Sequence, residues 1–392
     1  MPNSKAHIIV RSGREKSLLK KHPWVFSGAL SSVTAKAGDQ VDIFDSANHF
    51  LARGYYNDKA TIACRILTWD LNEQINGTFF INRFNAALTL RKPFLTITNA
   101  YRLIFSEADN LPGLIVDVYD QVVVLQISTL GLEYLKNIIV SALVKVLDPV
   151  AIYEKSEGES REVEGLKPSS GLLWGELPTR PVEIYEGNAK FLVNIPAGQK
   201  TGFFLDQRAN RLAITHYVKN KTVLNAFSYT GAFSVHAALA DARSVVSVDS
   251  SATAIDSAQE NARLNGVADQ CHFACEDVFE FLKNTDQVFD VIILDPPGFV
   301  KTKRDLQAGT NAYRVLHQLA LKRLQPGGFL MTASCSAWVD RALFHKIVFW
   351  ACEKNGTQLR LIEERGHTWD HPISVFFPEG EYLKFAIYQR EF

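Results

Sequence analysis

No window of this chain approaches the run of about 18 apolar residues that a membrane helix requires. The opening "MPNSKAHIIVRSGREK" has no apolar centre of a secretory signal. A cytoplasmic protein with no membrane anchor is the expectation. Cysteine is scarce: Cys64, Cys271, Cys275, Cys335 and Cys352 are an odd, scattered set in 392 residues, which argues against a disulfide scaffold. Cys271 and Cys275 flank His272, but that is not a zinc spacing, and no metal is expected. Net charge is also missing, since 42 Lys and Arg balance 42 Asp and Glu. There are no internal repeats, and no GxGxxG marks a dinucleotide site.

The composition is that of an ordinary soluble globular protein, 47% hydrophobic and 21% charged, long enough for two or three domains. Overall neutrality hides a local bias. The first 65 residues hold ten basic side chains, from Lys5 to Arg65, against five acids. A solvated surface explains this, and so does a face that meets nucleic acid. Three textures follow one another. Residues 1–70 alternate in short segments between turns, as in a small β-rich barrel or sandwich. Residues 71–185 mix helical periods with a hairpin, "LPGLIVDVYDQVVVLQIST", turning near Asp120-Gln121. Their stretch "EKSEGESREVEGLKPSSG" reads as a mobile surface loop. Residues 186–392 alternate strand and helix, which predicts a parallel sheet covered on both faces. The helix over "ATAIDSAQENARLNG" puts Ala254, Ile255, Ala258 and Ala262 on one face, with Gly266 as its stop.

Chemistry gathers at the strand ends of this last region. "VLNAFSYTGAFSVHAALA" runs from an apolar strand through a polar turn into a helix, the place where α/β sheets form a ligand crevice. Gly231 permits close backbone approach there, and Ser228 and Thr230 offer hydroxyls. "SVVSVDS" ends in Asp249, positioned to accept ribose hydroxyls. "EDV" follows the third strand, with Asp277 placed for an adenine amino group. "VIILDPPGF" ends in Asp295, and an acid there is costly unless paired or functional. "TASCSAW" puts Cys335 at the exit of another apolar strand. Buried cysteines are usually inert filler, so Cys335 is either packing or chemistry.

Taken together, these stretches resemble a class I S-adenosylmethionine-dependent methyltransferase. "AGQKTGFFLDQRANR", "NAFSYTGAFSVHAAL", "LDPPGFVKTK", "SCSAW" and "HPISVFFPEGEYLKFAIYQ" are similar to the RlmI-like family of ribosomal RNA cytosine-5 methyltransferases. The basic N-terminus with "HPWVFSGAL" resembles that family's PUA RNA-binding domain. The resemblance implies a PUA-like domain over 1–70, an α+β central domain over 71–185 and a methyltransferase domain over 186–392. It implies a mainly parallel seven-stranded Rossmann-like sheet ordered 3-2-1-4-5-7-6, which makes strands four and five neighbours. The cofactor implied is S-adenosylmethionine, held by Asn225, Phe227, Ser228, Tyr229, Thr230, Gly231, Asp249, Ser250, Asp277, Val278, Asp295 and Pro296. The partner implied is ribosomal RNA, of the large subunit, met by Arg11, Arg14, Lys20, Lys21 and Trp24; a homodimer is among the options for assembly.

Carbon 5 of cytosine is a poor nucleophile. A Cys335 thiolate adding to carbon 6 would activate it, with Asp295, protonated, stabilising the charge on the ring. The thiol must then be acidified, by the Ser334 and Ser336 hydroxyls or by a basic side chain. Where the family has glycine after "SCS", this chain has Ala337-Trp338, and Trp338 either stacks on a base or packs. No second cysteine follows strand four, so the base that takes the carbon 5 proton is unassigned. Two other readings remain open. Asp295-Pro296-Pro297 suits methylation of a base nitrogen, with Cys335 as packing, and a non-catalytic RNA-binding assembly factor would need no chemistry at all.

Overall fold

Alternation in the first seventy residues becomes a six-stranded sheet in a computed structural model that describes residues 6–392. Lys5 therefore lies outside the described residues. β1 (His7–Val10), β2 (Trp24–Phe26), β3 (Leu30–Val33), β4 (Gln40–Phe44), β5 (Phe50–Tyr56) and β6 (Ile62–Thr68) run in the order β2-β6-β5-β4-β1-β3. One turn of helix, α1 (Lys16–Leu19), interrupts them and sends Leu18 into a core with Ile8, Val10, Val41 and Ile43.

A second sheet, β11-β10-β9-β8-β7, is built from β7 (Ala100–Phe105), β8 (Leu114–Tyr119), β9 (Val122–Ile127), β10 (Ala151–Ser156) and β11 (Ser169–Gly175). The expected hairpin is β8–β9, with Tyr119 opposite Val122 and Asp120 in the left-handed region at φ 55°. α2 (Gly77–Arg91) starts where the Asn76 side chain accepts the Phe79 N–H. Its Phe80 and Phe84 pack with Ile139 and Leu143 of α4 (Lys136–Leu147) in a core that also holds Tyr55 and Leu67 of the first sheet.

α3 (Leu130–Tyr134) precedes α4. The stretch read as a mobile loop instead contains α5 (Glu159–Val163) and the start of β11. Buried ionic groups fix it: Arg161 donates to the Ile127 carbonyl and pairs with Glu133, and Glu164 accepts from Asn57 and Arg65. Charged residues in a Gly-rich stretch look solvated until their partners, which are far along the chain, are known.

The chain divides into two compact units. The first comprises Met1–Ile184, Val193–Leu205 and Trp369–Gly380. The last of these segments is tied in by Asp370, whose Oδ2 accepts the Arg102 N–H at 3.1 Å and whose carbonyl accepts from Arg91 at 3.2 Å. Phe377 packs on Trp24 with ring centroids 4.6 Å apart. A two-stranded hairpin, β12 (Val182–Glu186) and β13 (Ala189–Val193), spans the expected boundary near 185.

The second unit comprises Tyr185–Leu192, Asp206–Thr368 and Glu381–Phe392. After α6 (Arg208–Ile214) come β14 (Thr222–Ala226), α7 (Ala232–Leu239), β15 (Ser244–Asp249), α8 (Ala252–Leu264), β16 (Cys271–Cys275), α9 (Val278–Asn284) and β17 (Phe289–Leu294). Then follow α10 (Leu306–Arg323), β18 (Leu324–Ser334), α11 (Arg341–Asn355), β19 (Leu359–Arg365) and β20 (Lys384–Arg390). The sheet order β16-β15-β14-β17-β18-β20-β19 is the one expected. All pairings are parallel except those of β20, which runs antiparallel to both neighbours. Ala254, Ile255, Ala258 and Ala262 are buried on α8 as predicted, and Gly266 ends it at φ 68°. Among the described residues no helix is long and apolar enough to cross a membrane.

Candidate active site

The turn after β14 is bent by residues that rarely bend this way. Phe227 and Tyr229 sit at φ 61° and 45°, and Gly231 at 76°. For the two non-glycines this costs about 1–2 kcal/mol each, a cost that persists where the surroundings enforce it. The Ser228 N–H is fixed on the Val248 carbonyl, the Tyr229 N–H on Asp249 Oδ2 at 2.9 Å, and the Thr230 carbonyl on Asn261. Gly231 serves a closer neighbour than a ligand: a Cβ there would lie 2.9 Å from Cβ of Ala258 on α8.

Three buried oxygens, one at the end of β14 and two in this turn, have no hydrogen-bond partner among the described residues: Asn225 Oδ1, Ser228 Oγ and Thr230 Oγ1. Unsatisfied buried polar atoms are rare and cost about 1–3 kcal/mol each. Oδ1 can only accept, whereas the hydroxyls can donate. A ligand bearing both an ammonium and a carboxylate would satisfy all three.

Asp249 is half-buried, and its Oδ1 accepts the Ser251 N–H while Oδ2 holds Tyr229. Each oxygen keeps a lone pair for a further donor. Ser250 is exposed beside it. Asp277 is exposed and caps α9, its Oδ1 accepting from Phe279 and Glu280, above the buried Val278. Phe227, Phe279 and Phe299 stand around one another with centroids 6.1–6.5 Å apart. Phe279 and Phe299 were not singled out in the sequence, although both directly follow strand-end motifs.

Asp295 is half-buried and Pro296 is buried after it. A relay fixes the carboxyl. Asn210 Nδ2 donates to the Gly366 carbonyl at 3.3 Å and to Gln207 Oε1 at 2.7 Å; Gln207 Nε2 then donates to Asp295 Oδ1 at 2.8 Å. A carbonyl can only accept, so it sets the direction of both amides. Asp295 Oδ1 is therefore an acceptor. Gln207, inside "LDQRANR", was not named as a site residue.

Parallel pairing of β17 with β18, Leu294 opposite Thr332, brings Asp295 and Cys335 to one rim. A Cβ at Gly298 would lie 3.5 Å from Cys335 Sγ. Met331, Ala333 and Cys335 pack with Phe385 and Ile387 on one face. The Ser334 and Ser336 hydroxyls both meet the Tyr313 hydroxyl, at 3.1 and 3.0 Å, and Ser336 Oγ, like Cys335 Sγ, comes close to the Gly298 Cβ position, at 3.4 Å. Ser336 Oγ also accepts the Val300 N–H. The two serines thus brace the turn. A basic side chain, Lys384, is buried at the start of β20 opposite Ser334.

No disulfide joins the five cysteines. Burial pushes the Cys271 and Cys352 thiols up to about 11 and Cys64 up to about 12, so these three stay protonated and inert. Cys335 is half-buried at the strand end, and Trp338 beyond it is 49% exposed and is not core packing.

In the first unit Arg11, Arg14, Lys20 and Lys21 are exposed along one short segment. Arg11 Nε donates to the Leu30 carbonyl, and Lys21 lies over the Trp69 ring at 5.2 Å. Trp24 is held differently: its indole N–H donates to Glu107 at 2.8 Å and its ring packs on Phe377.

A family model described as a PUA-like domain matches residues 8–69, and one described as an S-adenosylmethionine-dependent methyltransferase matches 159–367. The ribosomal RNA large subunit methyltransferase I of Klebsiella pneumoniae (strain 342) is 41% identical over 385 residues, covering 96% of each chain. Its counterpart in Erwinia tasmaniensis is 40% identical, over 96% of this chain and 97% of its own. A methyltransferase crystallised with SAH superposes with a TM-score of 0.85 at 25% identity, over 98% of this chain and 99% of its own. S-adenosylmethionine is the cofactor, a molecule whose amino-acid end carries both an ammonium and a carboxylate. The chain therefore belongs to the S-adenosylmethionine-dependent methyltransferases that carry an N-terminal PUA-like domain, alongside the ribosomal RNA large subunit methyltransferases I.

Proposed function

We propose that this protein methylates carbon 5 of a cytosine in large-subunit ribosomal RNA through a covalent bond to Cys335. The observation that carries the reading is the approach of the Asp295-Pro296-Pro297-Gly298 turn to the Cys335 thiol, with Sγ only 3.5 Å from a Cβ position at Gly298. The RNA substrate is favoured by the names of the relatives and by the PUA-like domain.

The cofactor, when bound, supplies an electrophilic methyl group for carbon 5. Every other role falls to the chain. Asn225, Ser228, Thr230 and Asp249 would hold the cofactor, with Phe227, Tyr229, Gly231, Ser250, Asp277, Val278 and Pro296 lining its turn and flanks. The Cys335 thiolate adds to carbon 6, and the electron pair of the ring double bond makes carbon 5 nucleophilic. Asp295, protonated and steadied on Oδ1 by Gln207, donates to the ring and stabilises its developing charge. Loss of the carbon 5 proton to a base re-forms the double bond and expels the thiolate. Trp338, exposed beside the nucleophile, offers a face for a neighbouring RNA base. Arg11, Arg14, Lys20 and Lys21 would meet phosphates, with the half-buried Trp24, held by Glu107 and Phe377, beside them on the RNA face.

RNA carrying 5-fluorocytosine tests the covalent step, because fluorine does not leave as a proton. With S-adenosylmethionine, the wild-type protein should form an RNA adduct that survives denaturing electrophoresis. Cys335→Ala should form none and should lose methyl transfer while still binding cofactor. Cys352→Ala should behave as wild type. Normal transfer by Cys335→Ala would instead make the cysteine packing and favour methylation of a base nitrogen.

A further inference from the structure

β18 stops at Ser334, leaving Cys335 as the first residue past the ladder. Opposite that last pair, on β20, stands Lys384. Its side chain is only 3% exposed overall, and lysine is almost never buried without a purpose or a partner. Nζ donates to the Ser336 and Tyr382 carbonyls, both at 2.7 Å. Neither carbonyl carries a charge. Holding two carbonyls does not require an ammonium, whose desolvation is expensive.

Four groups act electrostatically on this ammonium. Cys335 exerts the largest effect, followed by Glu381 beside β20, Arg341 on α11 and Asp340 before it. Arg341 is already committed to Glu381 and Glu364, so Glu381 has a cation of its own. Asp340, the weakest of the four, is engaged as the cap of α11 by the Leu343 N–H, which leaves the thiol as the anion this buried lysine is placed to serve.

We propose that Lys384 is the positioning cation that keeps Cys335 as a thiolate. This rests on the reading of Cys335 as the nucleophile. The step is a proton transfer: the Sγ–H bond breaks, an N–H bond forms on a neutral Nζ, and thiol plus amine become thiolate plus ammonium. No other reactant is needed. Burial pulls the lysine down to about 8, beside the ordinary thiol value of about 8.5, so the two groups compete for one proton on near-equal terms. A low local dielectric then strengthens their attraction once both are charged.

The test is the pH dependence of iodoacetamide alkylation at Cys335, followed by peptide mass spectrometry on the full-length protein without RNA or cofactor. Cys275, which is exposed, serves as the internal reference. In wild type the Cys335 midpoint should lie at least about one unit below the ordinary thiol value. In Lys384→Met it should rise by about one unit or more, with roughly tenfold slower alkylation at pH 7. Lys384→Arg should stay close to wild type.

A lysine that only ties two carbonyls together would leave the midpoint unmoved in Lys384→Met, and that result overturns the proposal. So does a wild-type midpoint at or above about 8.5, which decides the matter even if Lys384→Met fails to fold. The fluorocytosine adduct is scored separately. An adduct with an unmoved midpoint sinks only the role of Lys384, and a moved midpoint without an adduct sinks only the covalent mechanism.

Discussion

The Asp249 carboxylate has one role in the turn and room for a second. It clamps the Tyr229 and Ser251 amides, and its remaining lone pairs are free to face a ribose. Asp249→Ala should weaken S-adenosylmethionine binding by roughly ten- to a hundredfold, the equivalent of about 1.5–3 kcal/mol for charge-assisted bonds. Calorimetry on the folded variant checks this, and an unchanged Kd removes the ribose role. Asp249, Asp295 and Cys335 could be picked out of the sequence because each is a polar residue closing an apolar run. Gln207 and Lys384 could not. Their partners lie 88 and 48 residues away, and nothing local distinguishes them from surface residues.

At the scale of elements, the specific stretch "LDQRANR" turns out to be largely structural. Arg208 and Arg211 on α6 both pair with Glu186 at the end of β12, and His236 on α7 joins them. All four side chains are almost completely buried. Burial alone would raise the Glu186 carboxyl, but Arg211, His236 and Arg208 outweigh it and hold it well below its usual range. A carboxyl depressed in the folded state contributes stability above its unfolded value of about 4.3, and that contribution is lost as pH falls. Glu186→Gln strands two buried guanidinium groups and should cost about 3–5 kcal/mol at pH 7. Urea denaturation should show the gap between wild type and variant closing below about pH 4; a constant gap would show the charge to be unimportant. The parallel strands were legible as apolar runs between helices. The β12–β13 hairpin was not, although Gly187 and Asn188 between two alternating runs are a recognised turn signal. Polar residues in its strands hid it.

For the whole molecule, the basic N-terminal segment has one measurable consequence. The first sheet shares its Tyr55 and Leu67 with the central core, so cutting it away would expose apolar surface and confuse folding with binding. Replacing Arg11, Arg14, Lys20 and Lys21 together by Gln avoids this, since all four are exposed. RNA affinity should fall, and the slope of its logarithm against log salt should flatten by up to about three, as fewer counterions are released. Cofactor affinity should hold. An unaltered slope would mean the segment is only a solvated surface.

Segment Trp369–Gly380, which closes the first unit, also sets a schedule for synthesis. The Arg102 N–H waits 268 residues for Asp370, and Arg91 waits 279 for the same residue's carbonyl. At translation rates of about 5–20 residues per second, that is roughly fifteen to fifty seconds. For that time the nascent N-terminal half stands incomplete, its buried arginines missing a bond and its Trp24 missing the Phe377 ring. Such a chain cannot finish its first half first. A messenger truncated before residue 369 would leave the first unit without these contacts.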